Sequence, residues 1–291
     1  MTDYTAKYNQ YLTVFNDYLN KTFDNLDKNA PKTIKDAMAY AVKDGGKRVR
    51  PILCMATAEM LGVNFDKIKD ICVALECIHS YSLVHDDLPA MDNDDYRRGK
   101  LSTHKKFGEA NGILAGDALL NFAFEIVLSK ENFTINDAKA LKILAEFAGY
   151  SGMIAGQILD LENEKNCSNE KVLYNIYENK TAKLITAPLL IASIYADQKY
   201  FEHLKVYGYN LGVLFQIIDD IMDVEGTLES IGKTPHKDLS VDKLTSVKVF
   251  GFDGALKKAE FHYNECKKIL SEINADEFLH QLTDKMYTRR K

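Results

Sequence analysis

Two aspartate-rich segments decide the fold of this 291-residue chain: HDDLPAMD at residues 85–92 and DDIMD at residues 219–223. Each segment ends an apolar stretch with helical spacing, and about 130 residues separate them. A buried carboxylate cluster is costly unless cations neutralise it. One such cluster would more often be a solvated helix end, but two of them favour divalent metal held between helices, where it can bind a phosphorylated substrate.

Apolar residues recur with helical periodicity along almost the whole chain. Residues 8–19 follow the i, i+3, i+4, i+7 pattern of a helix with one buried face. Residues 71–85 are apolar nearly all round, as is typical of a helix in the centre of a bundle. Residues 204–224 have the same character, with Gly208 and Gly212 one turn apart where another helix could approach closely. Since no strand-like alternation is present, we predict one all-α domain over residues 1–291.

Composition excludes several classes of function. The net charge of −5, with acidic and basic residues interspersed, gives no electrostatic case for binding nucleic acid or an anionic membrane surface. The N-terminus lacks a signal-peptide pattern, and the longest apolar stretch, residues 184–196, is shorter than the roughly 20 residues of a membrane span. The five cysteines are scattered and predict neither a zinc site nor a disulfide framework. We expect a cytoplasmic protein without stable membrane insertion.

The second aspartate cluster has a simple helical geometry. At about 100° per residue, Asp219 and Asp223 lie on the same face of a helix, and Asp220 lies beside Asp223. Gln216 joins that face one turn earlier. Carboxylate and amide oxygens of this kind suit Mg²⁺, which binds a few carboxylates and keeps its other positions for water or phosphate oxygens.

The first cluster needs a break in its helix. On an ideal helix Asp92 would point well away from Asp86, because six residues advance about 240° around the axis. Pro89 removes a hydrogen bond to the carbonyl of His85 and disturbs the last turn. We therefore predict that the helix ends or bulges near Pro89, so that Asp92 turns back to share a metal with Asp86. Asp87 belongs to the same cluster.

Several cationic residues accompany the two clusters. His79 precedes Asp86 by seven residues and shares one stripe of its helix. Arginine forks match phosphate oxygens geometrically, and lysine acts as a mobile point charge. The candidate phosphate ligands besides His79 are Lys47, Arg50, Arg97, Arg98, Lys180 and Lys233, with the Thr181 hydroxyl as a further donor.

The chain resembles the trans-isoprenyl diphosphate synthases, specifically the short-chain bacterial farnesyl diphosphate synthases. The resemblance runs through nearly the whole length, and the combination of motifs is more specific than any one aspartate motif. The motifs are GGKRVRP at 45–51, IHSYSLVHDDLPAMDNDDYRRGKLSTH at 78–104, GILAGDALL at 112–120, GMIAGQILD at 152–160, KTAKLI at 180–185, FQIIDDIMDV at 215–224 and GK at 232–233.

This resemblance implies an all-α isoprenoid-synthase fold, a single large helical bundle around a deep central cavity, as a homodimer. It implies condensation of isopentenyl diphosphate with dimethylallyl and geranyl diphosphate to form farnesyl diphosphate, with three Mg²⁺ ions bound at each site. The implied metal ligands are Asp86, Asp92 and Asp219, with Asp87, Asp220 and Asp223 as direct ligands or as partners of the ligands.

The resemblance also divides the other site residues by role. Arg97, Lys180 and Lys233 match positions that hold the allylic diphosphate, and Thr181 and Gln216 line the reaction centre. The positions matching the isopentenyl diphosphate site are Lys47, Arg50, His79 and Arg98, and Arg289, Arg290 and Lys291 are expected to help close it.

Product length is a steric question in this family. Tyr81 and Ser82 lie five and four residues before Asp86, where bulk floors the pocket and stops elongation. Tyr81 predicts a C15 product, although an ordinary core tyrosine would look the same. The alternatives are a geranylgeranyl diphosphate synthase with a C20 product, a non-catalytic synthase subunit and a terpene cyclase. Tyr81 argues against the first, and the intact second DDIMD motif argues against the other two.

Overall fold

The computed structural model describes residues 3–43, 45–163, 169–225 and 243–289. These ranges form α-helices joined by short turns, with one π-helical segment and one two-stranded hairpin. The α-helices are α1 (Tyr4–Asp24), α2 (Lys32–Lys43), α3 (Val49–Met60), α4 (Phe65–Asp86), α5 (Thr103–Phe107), α6 (Glu109–Leu128), α7 (Ile135–Ala148), α8 (Met153–Glu162), α9 (Glu170–Ile176), α10 (Lys183–Ile194), α11 (Phe201–Glu225), α12 (Ser246–Glu272) and α13 (Glu277–Thr288). The π-helix spans Tyr177–Ala182, and the strands are β1 (Tyr96–Arg97) and β2 (Lys100–Leu101).

Helices α4 and α11 form the centre of the bundle, and each carries one aspartate cluster at its C-terminal end. Helix α4 packs against α3, α6 and α10, and α11 packs against α10, α12 and the π-helix. The α4 residues from Ile71 to Ile78 are all buried, as the all-round apolar pattern predicts. Asn64 starts α4 by accepting a hydrogen bond from the backbone of Asp66 at 2.8 Å, a regular N-cap. The prediction of an all-α fold is confirmed.

The π-helix lies between α8 and α11, with a glycine on each side. A Cβ atom on Gly156 of α8 would lie 2.1 Å from the backbone nitrogen of Lys180. A Cβ atom on Gly212 of α11 would lie 2.3 Å from Cα of Ala182. Gly208 makes a similar approach to Thr186 of α10. The close helix contact predicted at Gly208 and Gly212 is therefore confirmed, and it holds the π-helix beside the second aspartate cluster.

The hairpin is the main departure from a purely helical prediction. Tyr96 pairs with Leu101 and Arg97 pairs with Lys100, around a turn in which Arg98 and Gly99 have φ of 53° and 75°. Two consecutive left-handed residues are the signature of a tight hairpin turn. The strands are two residues each, too short to produce a detectable alternation in the sequence.

Helix α6 has an unusual surface. It is the one helix within the described ranges long and apolar enough to cross a membrane by length and composition, and 33% of that stretch is buried in the structure. Its side chains Ile113 and Leu114 are 46% and 55% exposed. Helix α6 packs on α2, α4 and α5 with its other side.

Candidate active site

The helix that carries the first aspartate cluster ends near Pro89, as predicted. Helix α4 ends at Asp86, and the chain turns back so that the backbone nitrogen of Asp92 donates to the carbonyl of Asp86 at 2.8 Å. Asp92 also receives Lys243 at 3.8 Å, from the segment that precedes α12. The prediction that the helix ends near Pro89 is confirmed, and the turn brings the two aspartates together.

The surroundings of Asp86 disfavour its ionised carboxylate, which a bound cation would stabilise. Its carboxyl pKa is raised to about 6, chiefly by burial, and the charge of Asp92 raises it further. The charges of Lys180 and Arg97 act in the opposite direction. Burial and a like charge both disfavour the ionised form, whereas a bound divalent cation favours it. The environment of Asp86 thus suits a metal ligand.

The carboxylate of Asp87 accepts hydrogen bonds from Arg97. Its buried carboxylate accepts from Nε of Arg97 at 2.9 Å and from Nη2 of the same guanidinium. The Nη2 atom also lies 3.3 Å from Asp94. Asp87 therefore orients Arg97, one of the predicted ligands of the allylic diphosphate.

Asp220 of the second cluster is likewise held by protein groups. It is buried and accepts hydrogen bonds from the Tyr177 hydroxyl, from the backbone nitrogen of Ser246 at 2.6 Å and from the Gln216 amide at 3.2 Å. Tyr177 begins the π-helix, and Ser246 begins α12. Asp220 thus joins three elements around the cluster, while Asp219 on the same helix is more exposed.

The π-helix carries the predicted reaction-centre residues. The Thr181 hydroxyl donates to Oε1 of Gln216 at 2.9 Å, which links the π-helix to α11. The Lys180 ammonium lies 2.5 Å from Asp160 of α8 and acts electrostatically on Asp86 of α4. A π-bulge within a longer helix is frequent at functional sites. Here the π-helix faces both aspartate clusters, since the charge of Lys180 acts on Asp86 and the Tyr177 hydroxyl donates to Asp220.

Asp219 and Asp223 differ in their surroundings. Asp223 is buried. Asp219 is 40% exposed and forms an ion pair with Arg289, whose guanidinium also packs over the Phe215 ring at 4.1 Å from its centroid. Burial lowers the pKa of Arg289 to about 10, so the guanidinium remains charged at neutral pH. After burial, the charge of Arg289 lowers the pKa of Lys47, so Arg289 lies near the predicted isopentenyl diphosphate site, and its part in closing that site stays a prediction.

The residues predicted for the isopentenyl diphosphate site form a cationic group of Lys47, Arg50 and Arg98 around His79. The Arg98 guanidinium donates to the carbonyl of Gly45 at 3.1 Å, beside the loop that carries Lys47 and Arg50. Burial and then the charges of Arg50 and Arg98 lower the pKa of His79 well below its ordinary value. His79 is therefore neutral at pH 7. The structure brings these predicted residues together, although their substrate role stays a prediction.

Tyr81 and Ser82, the residues predicted to limit product length, lie on α4 five and four residues before Asp86. Tyr81 is 5% exposed and packs edge-on against His85, with ring centroids 5.9 Å apart. Its hydroxyl has no hydrogen-bond partner within the described structure. The Ser82 hydroxyl donates to the carbonyl of His79 at 2.9 Å. Tyr81 is thus the bulky group of the pair, and Ser82 is bonded to its own helix.

Three site residues emerge only from the structure, namely Asp160, Tyr177 and Arg48. Asp160 belongs to the GQILD segment, but spacing alone gives no indication that it reaches Lys180. Tyr177 is a distant partner of Asp220. The predicted ligand Lys233, together with Arg290 and Lys291, lies outside the described residues.

The carboxylates do not form a closed metal cage. Among the described residues, no three His, Cys, Asp or Glu side chains converge as a ready-made site. Mg²⁺ is commonly bound by one or two carboxylates together with substrate phosphates. Oxygen-rich clusters with a desolvated carboxylate at Asp86 fit that mode of binding.

The family of this chain follows from its similarity to known proteins. The polyprenyl synthetase family matches residues 31–284. The chain belongs to this family. It is 43% identical to farnesyl diphosphate synthase of Micrococcus luteus, over 84% of this chain and 86% of that protein. It is 40% identical to farnesyl diphosphate synthase of Haemophilus influenzae over the full length of both.

This polyprenyl synthetase is also similar to solved structures of proteins named geranyltransferase. A Helicobacter pylori geranyltransferase, solved in complex with magnesium and isoprenyl diphosphate, superimposes with a TM-score of 0.85. The two chains are 31% identical, and the match covers 99% of this chain and 97% of the other. Proteins named geranylgeranyl diphosphate synthase are also among the relatives. The family and these relatives identify the protein as a prenyltransferase enzyme with the isoprenoid-synthase fold.

Proposed function

We propose that this polyprenyl synthetase condenses isopentenyl diphosphate with dimethylallyl diphosphate and then geranyl diphosphate to form farnesyl diphosphate. The observation that carries the proposal is the convergence of the two aspartate clusters on the π-helix that bears Lys180 and Thr181. The cationic group around His79 supplies a second place for a diphosphate. Relatives named farnesyl diphosphate synthase support the C15 product.

The residues divide between two diphosphates. Arg97 and Lys180, oriented by Asp87 and Asp160, bind the diphosphate of the allylic substrate together with Lys233. The isopentenyl diphosphate binds at the second cationic group, consisting of Lys47, Arg50, His79 and Arg98. Each guanidinium offers a rigid fork of donors that matches phosphate oxygens.

The reaction begins when the allylic C–O bond breaks and its electron pair leaves with pyrophosphate. Arg97 and Lys180 stabilise the negative charge that develops on the leaving group. The oxygens of Thr181 and Gln216 would face the allylic carbocation, and the reaction requires that water, which would trap the cation, be excluded from the site. C1 of the cation then bonds to C4 of isopentenyl diphosphate, and a proton passes to the released pyrophosphate. Such a reaction needs no nucleophilic side chain.

Asp86, Asp92 and Asp219 would hold Mg²⁺, three ions per site, with Asp87, Asp220 and Asp223 as ligands or supports. When bound, the metal neutralises the diphosphate and favours its departure. Asp86 is suited to this role because it is desolvated and lies beside Asp92. Asp87 and Asp220 contribute mainly by holding Arg97 and the π-helix, since each is buried and accepts two or more hydrogen bonds from protein groups.

A direct test is to supply isopentenyl diphosphate and geranyl diphosphate with Mg²⁺ and to identify the product by mass spectrometry. Farnesyl diphosphate should accumulate, and excess EDTA should abolish it reversibly. Pyrophosphate release without a C15 product would indicate hydrolysis or cyclisation, and no reaction would favour the non-catalytic subunit.

The Tyr81→Ala variant should make longer products. Tyr81 is buried, and its hydroxyl makes no hydrogen bond in the described structure, so removing the ring opens space without breaking a polar contact. We expect the main product to shift from C15 to C20 or longer, as judged by mass spectrometry. Ser82→Ala is the matched control and should leave C15 dominant. An unchanged C15 product in Tyr81→Ala would assign Tyr81 to the core.

The protein is proposed to act as a homodimer in the cytoplasm, without nucleic acid or membrane partners. Two helices, α6 and α8, carry exposed apolar side chains that support a subunit interface. On α8, Ile154, Ile158 and Leu161 form one helical stripe and are 43%, 50% and 39% exposed. Exposed apolar side chains grouped in this way on a helix favour an interaction site. We propose that a second copy covers α6, which accounts for its apolar composition.

Leu114→Lys should weaken the proposed dimer. Leu114 is 55% exposed on α6, and a buried ammonium opposite a second apolar surface is costly. Light scattering at micromolar protein concentration should give the Leu114→Lys variant the mass of one subunit and the unaltered protein the mass of two subunits. Phe261→Lys on α12, at a side chain that is 56% exposed, is the control and should remain dimeric. A monomeric unaltered protein would contradict the dimer.

A further inference from the structure

Arg48 and Glu76 form a buried ion pair beneath the proposed isopentenyl diphosphate site. Nη1 of Arg48 lies 2.6 Å from Oε1 of Glu76, and the two side chains are 1% and 2% exposed. Glu76 lies on α4 one turn before His79, and Arg48 lies between Lys47 and Arg50 in the sequence. The pair therefore underlies the cationic group without being one of its exposed members.

Arg48 ties together the elements around this loop. Its Nη2 donates to the carbonyls of Val42 at 2.6 Å and Lys43 at 3.1 Å, at the end of α2. Its Nε lies 3.3 Å from the Asn16 side chain of α1. One guanidinium thus joins α1, α2 and α4 at the point where α3 begins.

The backbone at Arg48 is held in a conformation that needs support. Arg48 has φ of 49° and ψ of 36°, the left-handed region that is unfavourable for residues other than glycine. Its carbonyl accepts the first helical hydrogen bond of α3, from Ile52 at 3.0 Å. This turn sets the directions in which Lys47 and Arg50 leave the chain. The buried contacts of Arg48 are the means by which the turn is stabilised.

The residues on both sides of Arg48 remain available to a ligand. Lys47 is exposed, and its carbonyl accepts from the Tyr8 hydroxyl. Nε of Arg50 is buried without a hydrogen-bond partner within the described structure. Since Glu76 is paired with Arg48, Nε of Arg50 keeps its donor for an anion.

We propose that Arg48 and Glu76 are positioning residues that hold Lys47 and Arg50 in the geometry that binds the diphosphate of isopentenyl diphosphate. This inference rests on the proposed prenyltransferase function. A buried pair of this kind contributes little net stability compared with apolar residues of the same size. Its contribution is geometric, because the left-handed turn between Lys47 and Arg50 depends on Arg48.

The test is steady-state kinetics of Arg48→Met with each substrate varied separately. We expect KM for isopentenyl diphosphate to rise about 10- to 100-fold, because small displacements of binding groups are costly. KM for geranyl diphosphate and kcat should change less than about threefold, because Lys180 and Arg97 do not depend on this turn. Arg48→Lys keeps a cation for Glu76 but loses the carbonyl bonds, and it should show an intermediate rise.

A double variant separates positioning from stability. Arg48→Met with Glu76→Leu removes the uncompensated buried charge, so thermal stability should recover relative to Arg48→Met. KM for isopentenyl diphosphate should stay high, because nothing restores the turn. If KM recovered together with stability, the pair would be structural only and the inference would be overturned.

Lys130→Met is the matched control for the loss of a buried pair. Lys130, in the loop between α6 and α7, lies 2.5 Å from Asp137, whose side chain is 1% exposed, and neither residue belongs to the cationic group. It should lower stability and leave both KM values unchanged. Calorimetric binding of isopentenyl diphosphate without metal requires no turnover. The unaltered protein could prove inactive and still bind isopentenyl diphosphate more tightly than Arg48→Met does. That result would contradict the proposed reaction but would support the positioning role of Arg48.

Discussion

Replacing Asp86 by asparagine is expected to lower kcat/KM by about a thousandfold, corresponding to roughly 4 kcal/mol of transition-state stabilisation. The half-buried Asp86 carboxylate lies beside Asp92, in an environment that a divalent cation would stabilise. Asparagine keeps the shape of the side chain and removes the negative charge that a hard cation requires. Initial rates of farnesyl diphosphate formation at saturating Mg²⁺ check the prediction.

The same substitution should leave the fold intact. Burial raises the pKa of Asp86 to about 6, so its ionised form is unfavourable in the folded protein without metal. Asp86→Asn should therefore unfold at the same temperature as the unaltered protein, or higher, in the presence of EDTA. The control is Asp95→Asn, since Asp95 is 57% exposed in the following loop and pairs with Lys105. A thousandfold loss in Asp95→Asn, or less than a tenfold loss in Asp86→Asn, would contradict the assignment.

Acidification should destabilise the fold through His262 by about 3 kcal/mol between pH 7 and pH 4. His262 is buried between α11 and α9, where Nδ1 donates to Asn210 at 2.8 Å and Nε2 faces the Tyr174 hydroxyl at 3.2 Å. Burial first, and then the charge of Lys258, lowers its pKa from 6.5 to about 4. One pKa unit corresponds to about 1.36 kcal/mol.

The direction follows from proton binding. Below pH 6.5 the unfolded chain protonates this imidazole, whereas the folded protein keeps it neutral until about pH 4. The unfolded state binds more protons in this window, so the free energy of unfolding falls as pH decreases from 6.5 to 4. Above pH 6.5 His262 is neutral in both states, so its titration no longer lowers the free energy of unfolding.

The measurement is urea unfolding at pH 7 and pH 4, at one protein concentration, for the unaltered protein and for His262→Gln. The glutamine variant should lose about 3 kcal/mol less on acidification, although it starts from a lower stability because it disturbs a buried hydrogen-bonded site. His203→Gln, at an exposed histidine, should follow the unaltered protein. Equal pH dependence in His262→Gln and the unaltered protein would reject the role of His262.

The sequence predicts the features of this site that depend on local geometry. Pro89 and the spacing of Asp86 and Asp92 predict the end of α4, because a proline within a helix removes a backbone hydrogen bond. The glycine pair in α11 predicts a close helix contact, because a Cβ atom at either position would lie within 3 Å of the neighbouring helical segment. Both features are encoded within a few consecutive residues.

The partners of individual side chains depend on distant parts of the chain and do not follow from spacing. Asp87 and Asp220 resemble their neighbours in sequence, yet the first holds Arg97 and the second holds Tyr177 and Ser246. Lys180 is paired with Asp160 through the position of the π-helix beside α8. The π-helix itself has no clear sequence signal, since it results from packing between two close neighbours.

The most direct test of the proposed function is the product formed from isopentenyl diphosphate and each of the C5, C10 and C15 allylic diphosphates, supplied separately with Mg²⁺. Growth from the C5 and C10 starters that stops at C15 is the expected result. Efficient conversion of the C15 starter to C20 would contradict the farnesyl assignment and support a geranylgeranyl diphosphate synthase. Failure to elongate any starter would contradict prenyl transfer at this site.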